Sequence, residues 1–330
     1  MQLDMFSYIE EMTKGRLTIL SRIIRTIARK GEPTGLRTLY DSVNQMIKEE
    51  GGKPVADETI RARVYECENL ERVAKGVYWF KQEESNALII EGDGRDLSAL
   101  EDESIDSIVT DHPYELTAHK GGNRSMVDYD VFKYNQEDFN EKARVLKPGG
   151  VLVEFMAELC SEEVLDYVHE MRTYAKNAGL HMYSAVNWIK EGTSNNQGRK
   201  KKNMEVIFFF TKGKCRPLRL DKKKIKSLGG EHKMAMLEML PAAFVHPQTH
   251  SSKRVHKAEK PYSLLLEILS YVVKPGEIVL DQFSGGGRII EAAIKYGCNI
   301  IAIEKDKKYI RSMVERISQL TEHITTVLAH

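Results

Sequence analysis

Cysteine is scarce in this sequence and never clustered. Cys67, Cys160, Cys215 and Cys298 are scattered through 330 residues without a paired spacing. That argues against a zinc site or a disulfide framework and suits a reducing compartment. No metal is expected. Long apolar runs are missing as well. The longest candidate, at 206–210, has the length of a buried strand and falls far short of a bilayer, so no membrane contact is expected. Met1-Gln2-Leu3-Asp4 has none of the basic and apolar character of a signal peptide, which points to the cytoplasm.

An excess of charge of one sign is also lacking, since 49 Lys and Arg face 48 Asp and Glu. The balance hides a segregation. From Arg199 to Lys226 only Glu205 and Asp221 oppose Arg199, Lys200, Lys201, Lys202, Lys212, Lys214, Arg216, Arg219, Lys222, Lys223, Lys224 and Lys226. That window carries ten net positive charges and the remainder about nine net negative ones. Such a pattern is the footprint of a polyanion-binding face, although a solvated loop would share it. What is present otherwise is ordinary for a soluble protein: 42% hydrophobic and 29% charged residues, in a chain long enough for one α/β core and a small extra domain.

Leu17, Leu20, Ile23, Ile24 and Ile27 share one helical face within 16–30, and Gly31-Glu32-Pro33 stops that helix. Leu39, Val43 and Met46 predict a second helix over about 36–50. Ile60, Val64 and Cys67 predict a third over about 57–70. Residues 71–80 read as a hairpin turning at Lys75-Gly76. Three helices and a hairpin resemble a winged helix-turn-helix domain over 1–82. In that family the third helix, here with Arg61 and Arg63, would enter the major groove. A packing or dimerisation module would have the same topology. A polar linker follows at 81–86.

From Ala87 the pattern changes to strands that end in acids. Ala87 to Ile90 leads into Glu91-Gly92-Asp93, and 104–110 leads into Asp111-His112-Pro113-Tyr114. Near the far end, a strand at 277–280 opens onto Asp281-Gln282-Phe283-Ser284-Gly285-Gly286-Gly287. An apolar helix follows with Gly297 as its cap, then a strand at 299–303 ending in Glu304. Strand, glycine turn, helix, strand and terminal acid fit a nucleotide-binding βαβ unit. The glycines admit a ligand close to the backbone, and the acid can accept from a ribose.

In this order the motifs resemble the amino-group DNA methyltransferases that use S-adenosylmethionine, over about 86–320. Asp111-His112-Pro113-Tyr114 resembles their Asp-Pro-Pro-Tyr motif. Phe139 with Arg144 to Gly150, then Asn187-Trp188-Ile189-Lys190 and Asn203-Met204-Glu205, resemble the segments that follow it. His256 to Pro261 resembles the segment before the cofactor strand, and Asp281-x-Phe283-x-Gly285-x-Gly287 the cofactor motif. Because the catalytic motif comes first, the chain resembles the permuted β group.

The resemblance implies an α/β fold: a Rossmann-like methyltransferase sheet with helices on both faces, a target-recognition insert at about 192–255 and a tail at 321–330. It implies S-adenosyl-L-methionine as cofactor and double-stranded DNA as partner, with a restriction endonuclease and a homodimer as further expected partners. Asp111 and the His112 carbonyl would accept the two hydrogens of a base amino group, Pro113 would stiffen the loop and Tyr114 would stack on the flipped base. Asp281, with the backbone at Phe283, Ser284, Gly285 and Gly287, would face the methionine end. Glu304 would hold the ribose, Asp93 the adenine of the cofactor, and Lys260 and Pro261 would border the pocket. Arg199, Lys200, Lys201 and Lys202 would meet DNA. Asp at the first catalytic position leans towards adenine N6. Cytosine N4, an RNA substrate and a non-catalytic DNA-binding regulator are the alternatives. Two departures stand out. His112 replaces the family's usual proline and would either pack or touch substrate. Arg288 replaces a small hydroxyl residue at a helix start near the cofactor carboxylate, and would be either a salt-bridge partner there or exposed.

Overall fold

Val206, Phe208 and Phe210 enter one apolar core while Ile207 and Phe209, between them, enter another. Successive strand side chains point to opposite faces. A strand apolar at every position must therefore be covered on both sides, and that demand sets the architecture. The structure is a computed structural model. It describes residues 19–30, 32–67, 70–80, 85–114, 131–159, 161–191, 196–197, 200–201, 203–215, 240–250, 254–256, 258–318, 320 and 324–327.

The first elements are α1 (Ile19–Lys30), β1 (Thr34–Gly35), α2 (Leu36–Glu49), α3 (Asp57–Tyr65), β2 (Leu70–Ala74) and β3 (Val77–Phe80). The three strands form an antiparallel sheet in the order β1-β3-β2, with Gly76 at φ +72° in the turn. The helices and hairpin are those expected, except that α3 stops at Tyr65. The two-residue β1 is too short to leave a sequence pattern.

The main sheet is built from β4 (Ala87–Glu91), β5 (Ile105–Thr110), β6 (Leu146–Ala157), β7 (Leu180–Glu191), β10 (Met204–Lys212), β11 (Ala243–Pro247), β12 (Ile278–Asp281), β13 (Asn299–Glu304) and β14 (Ile324–Val327); β8 (Asn196–Gln197) and β9 (Lys200–Lys201) make a separate ribbon. Its order is β11-β7-β10-β6-β5-β12-β13-β4-β14. From β6 to β14 all pairs are parallel, and β10 runs antiparallel to both neighbours. Helices α4 (Gln136–Val145) and α5 (Glu162–Asn177) cover one face. On the other lie α6 (Tyr262–Val272), α7 (Arg288–Tyr296) and α8 (Lys307–Ile317).

Three features bear on the domain boundaries. Within 321–330, β14 pairs with β4 and prolongs the sheet. Within 192–255, β10 and β11 belong to the main sheet. The N-terminal module, through α1, shares a core with the rest. Leu20, Ile23 and Ile27 of α1 join one apolar cluster with Leu264, Leu265 and Ile268 of α6.

An ion pair reinforces that contact. Glu267, 1% exposed, accepts from Arg29 Nε at 2.6 Å and lies 2.7 Å from His246 Nε2 of β11. His246 Nδ1 reaches Ser263 Oγ at 2.9 Å, so this buried histidine links β11 to α6 at both ring nitrogens. Without Glu267 the buried His246 would lose its partner, whereas the half-exposed Arg29 could turn to water. Glu267→Ala is therefore expected to cost about 1–2 kcal/mol of unfolding free energy in urea titrations.

Candidate active site

The carboxyl ends of β5 and β12 lie side by side, with Leu280 opposite Ile108 in parallel register. From β5 the chain passes through α4 to β6 on one flank, whereas from β12 it passes through α7 to β13 on the other. The strands thus part at a topological switch point, where open α/β sheets hold their ligands. The two motifs singled out in the sequence meet there.

Asp281 ends β12. Its Oδ1 accepts from Thr110 Oγ1 at 3.1 Å and from the Phe283 amide at 3.2 Å, and Ser284 Oγ donates to the Asp281 carbonyl at 3.1 Å. Ser284 thus spends its hydroxyl inside the turn. The three glycines are confined in different ways. Gly287 sits at φ +73° with Met313 Cγ 2.4 Å from where a Cβ would be, Gly286 lies under Glu259 and Val255, and Gly285 lies against the His256 ring. Glu304, at the tip of β13, accepts from the Gly285 amide at 2.7 Å and the Asp306 amide at 2.8 Å.

The loop after β4 closes over this turn. Gln282 Nε2 donates to the Gly94 carbonyl at 2.6 Å, and a Cβ on Gly94 would stand 1.8 Å from the Gln282 carbonyl oxygen. Only glycine lets the two loops approach so closely. The contact keeps the exposed Asp93, whose Oδ1 accepts from the Arg95 amide, beside the cleft.

Arg288, one of the two departures, is an ion-pair partner. It donates to Glu259 at 2.7 and 2.9 Å and to Glu291 at 2.7 Å. Arg316 adds a bond to the Gly286 carbonyl at 2.7 Å and one to Glu259 at 3.1 Å. Together they tie the segment before α6 to the glycine turn. Pro261 starts α6 as its N-cap residue at φ −61°.

Lys260, just before it, turns to the catalytic loop. Its Nζ is 2.7 Å from Asp111 Oδ2 and 2.9 Å from Glu205 Oε2, and Glu205 Oε1 is 2.7 Å from Lys190 Nζ. Two acids and two bases alternate, so the cluster is neutral overall. Burial works against the charge on Lys260, but Asp111 and Glu205 hold its ammonium above the ordinary lysine range. Burial likewise opposes the Glu205 charge, and Lys260 and Lys190 outweigh it, keeping that carboxyl low. The Asp111 side chain remains 23% exposed, and its Oδ2 faces the lysine.

The bend after Asp111 is fixed by backbone bonds. Tyr114 N donates to the His112 carbonyl at 2.9 Å, and Phe132 N donates to the Pro113 carbonyl at 3.0 Å. The imidazole of His112, the other departure, is buried beneath the bend.

Glu205, Lys190, Gln282 and Gly94 were not expected at the site. A charge near the start of an otherwise apolar strand, as Glu205 is in β10, is the signal that could have found that residue, since unpaired charges are rarely buried. For the DNA-contact expectations, Arg61 is exposed on α3 while Arg63 pairs with Glu66 at 2.6 Å. Lys200 and Lys201 form β9, and Arg199, Lys202 and 216–239 lie outside the described residues. Lys212 is committed to Glu103 and to the Leu146 carbonyl. Cys67, Cys215 and Cys298 are buried without a disulfide, and no described helix is long and apolar enough to cross a membrane.

Burial raises the Asp281 carboxyl to about 7, although the hydrogen bonds from the Phe283 amide and the Thr110 hydroxyl favour its charged form. With an unfolded value near 4, the folded state holds the extra proton, so this group's stabilisation is full below about pH 4 and is lost by about pH 7. Asp281→Asn should flatten that part of the stability profile in denaturation at stepped pH.

Comparison with known proteins agrees with this geometry. A family model described as DNA methylase, covering the N6 and N4 enzymes, matches residues 105–315. A type II methyltransferase, M.HpaI of Haemophilus parainfluenzae, is 24% identical over 231 residues, 67% of this chain and 70% of that protein. Among solved structures, a candidate DNA modification methylase from Thermus thermophilus, in complex with S-adenosyl-L-methionine, superposes with a TM-score of 0.50 at 18% identity, covering 74% of this chain and 100% of that one. The cytosine-N4-specific PvuII DNA methyltransferase gives 0.50 at 15% identity, covering 72% and 92%. With the family's motifs assembled at the switch point of its sheet, this chain belongs to the N6/N4 DNA methylase family.

Proposed function

We propose that this methyltransferase moves a methyl group from S-adenosyl-L-methionine to the exocyclic N6 of an adenine flipped out of DNA. One observation carries the reading: the Asp111 carboxylate and the His112 carbonyl stand together on one bend, beside the glycine turn that would hold the donor. An amino nitrogen conjugated to its ring is a poor nucleophile. Two acceptors that take its two N–H hydrogens help it pyramidalise and direct its lone pair at the sulfonium carbon. Each acceptor keeps a lone pair for this, since Lys260 occupies Asp111 Oδ2 and Tyr114 N occupies one site on the His112 oxygen. In the displacement the N–C bond forms as the C–S bond breaks, the C–S electron pair leaving with sulfur as a neutral thioether. The nitrogen then passes its surplus proton to solvent by way of the partly exposed Asp111 carboxylate.

Tyr114 supplies the face on which the extruded base stacks, an interaction worth roughly 1–3 kcal/mol. The rate advantage comes from alignment of donor and acceptor. On the cofactor side, Glu304 would accept from the ribose hydroxyls, and Asp93 from the adenine amino group. Asp281 and the amides from Phe283 to Gly287 would face the methionine end. Lys260 is better read as the partner of the catalytic acid than as a cofactor ligand.

Adenine is favoured by Asp111 itself, because the cytosine N4 enzymes that this chain resembles more often carry serine there. Asp111→Ala should lower transfer more than about a hundredfold while leaving S-adenosylmethionine binding nearly intact. Turnover within about tenfold of the wild type would contradict the role. Digesting the methylated DNA to nucleosides identifies the product, and label found only in cytidine would overturn the adenine assignment.

The N-terminal module is read as a DNA contact. Its helix–strand–helix–helix–hairpin order supports that reading, as does Arg61 exposed on α3. Arg61→Ala should weaken DNA binding in salt titrations and reduce the salt slope by about one. An unchanged slope would assign the module to packing alone.

A further inference from the structure

Behind the catalytic bend lies a closed polar network that the transfer chemistry does not use. His112 Nδ1 is 2.7 Å from Glu154 Oε1, and its Nε2 is 2.7 Å from the Tyr167 hydroxyl. Tyr134 donates its hydroxyl to Glu154 Oε1 at 3.1 Å and its amide to the Tyr167 oxygen at 2.9 Å. Lys142 Nζ donates to Glu154 Oε2 at 2.9 Å and to the Tyr134 oxygen at 2.8 Å. The side chains of His112, Glu154 and Lys142 are fully buried.

Donors and acceptors balance with one imidazole tautomer. Nδ1–H donates to Glu154, and Nε2 accepts from Tyr167, whose oxygen accepts from Tyr134. Burial opposes the Glu154 charge, yet Lys142 and His112 hold that carboxyl below its ordinary range, so the anchor for the imidazole is a carboxylate.

We propose that the His112 side chain is a positioning residue: anchored to Glu154 and Tyr167, it fixes the bend that aims the Asp111 carboxylate and the His112 carbonyl at one point. This rests on the roles given to those two acceptors above. The same network reaches the cofactor side. Tyr134, held by Tyr167, stacks at 4.1 Å on the His112 ring, and Phe132, bonded to the Pro113 carbonyl, packs at 5.5 Å on Phe283 of the glycine turn. Where the related enzymes stiffen the bend with a second proline, this chain does so from below with a hydrogen-bonded ring. A purely stabilising role would be served as well by an apolar cluster of equal volume, since a buried ion pair is weak evidence for stability. What such a network supplies is a single geometry.

The test uses the full chain, unmethylated genomic DNA and labelled S-adenosylmethionine. His112→Ala, His112→Asn, Tyr167→Phe and Asp111→Ala are compared for kcat, for cofactor Kd by calorimetry and for folding by thermal denaturation. Tyr167→Phe keeps the ring and removes only the hydroxyl, so it guards against a misfolded alanine variant. His112→Ala and Tyr167→Phe should lose about tenfold or more in kcat, with cofactor Kd within about twofold of the wild type. His112→Asn, whose amide can stand in for Nδ1–H, should recover much of that loss. Folded His112→Ala and Tyr167→Phe with wild-type kcat would overturn the positioning role while Asp111→Ala stays inactive. An active Asp111→Ala would instead overturn the catalytic reading beneath it.

Discussion

The register between β5 and β12 is the constraint on which everything else in this molecule depends. It pairs Val279 with Ser107 and Leu280 with Ile108, and so sets Thr110 against Asp281, 171 positions away in the chain. A slip of one residue would turn each strand's side chains to the wrong face and carry Asp111 away from the glycine turn. The register is held by burial on both faces, with Leu280 and Val279 entering opposite cores. Ser107, also buried, adds a hydroxyl bond at 2.9 Å to the Val151 carbonyl of the next strand.

Acids gather at this end of the sheet, and each is neutralised by a different means. Asp281 shares hydrogen bonds with its own turn and is raised to about 7 by burial. Glu304 is raised by burial too, though two amides bond it. Asp111 and Glu205 alternate with Lys260 and Lys190, and Glu154 is matched by Lys142 deep under the bend. A site for a cationic sulfonium donor and a base amino group needs acceptors, but acceptors crowded together repel. Lysines set between them let them coexist.

Much of this was legible in the chain because the relevant signals are local. The Asp281 to Gly287 turn, its helix capped at Gly297 and its acid at Glu304 follow from backbone sterics and periodicity within thirty residues. The helices and hairpin of the first eighty residues were legible for the same reason. What escaped depends on distant partners. Nothing near Glu205 reveals that Lys260 approaches it, and nothing near Glu267 announces Arg29, 238 positions before it. His112 was recognised as a departure, but its meaning required Glu154, Tyr134 and Tyr167 in three dimensions. Short strands such as β1 and β14 escaped because two to four residues carry too little pattern to stand apart from coil.

The placement of β14 brings the end of the described residues to the rim of the site. Running parallel to β4, it sets position 327 level with Ile90, one residue before the acid that leads into the Asp93 loop. The carboxyl end of β14 therefore lies on the same rim of the sheet as those of β5, β12 and β13, the rim that carries Asp111, the glycine turn and Glu304. At the other end of the described residues, α1 packs on the α6 side of the sheet, the flank that carries the Arg29 and Glu267 contact.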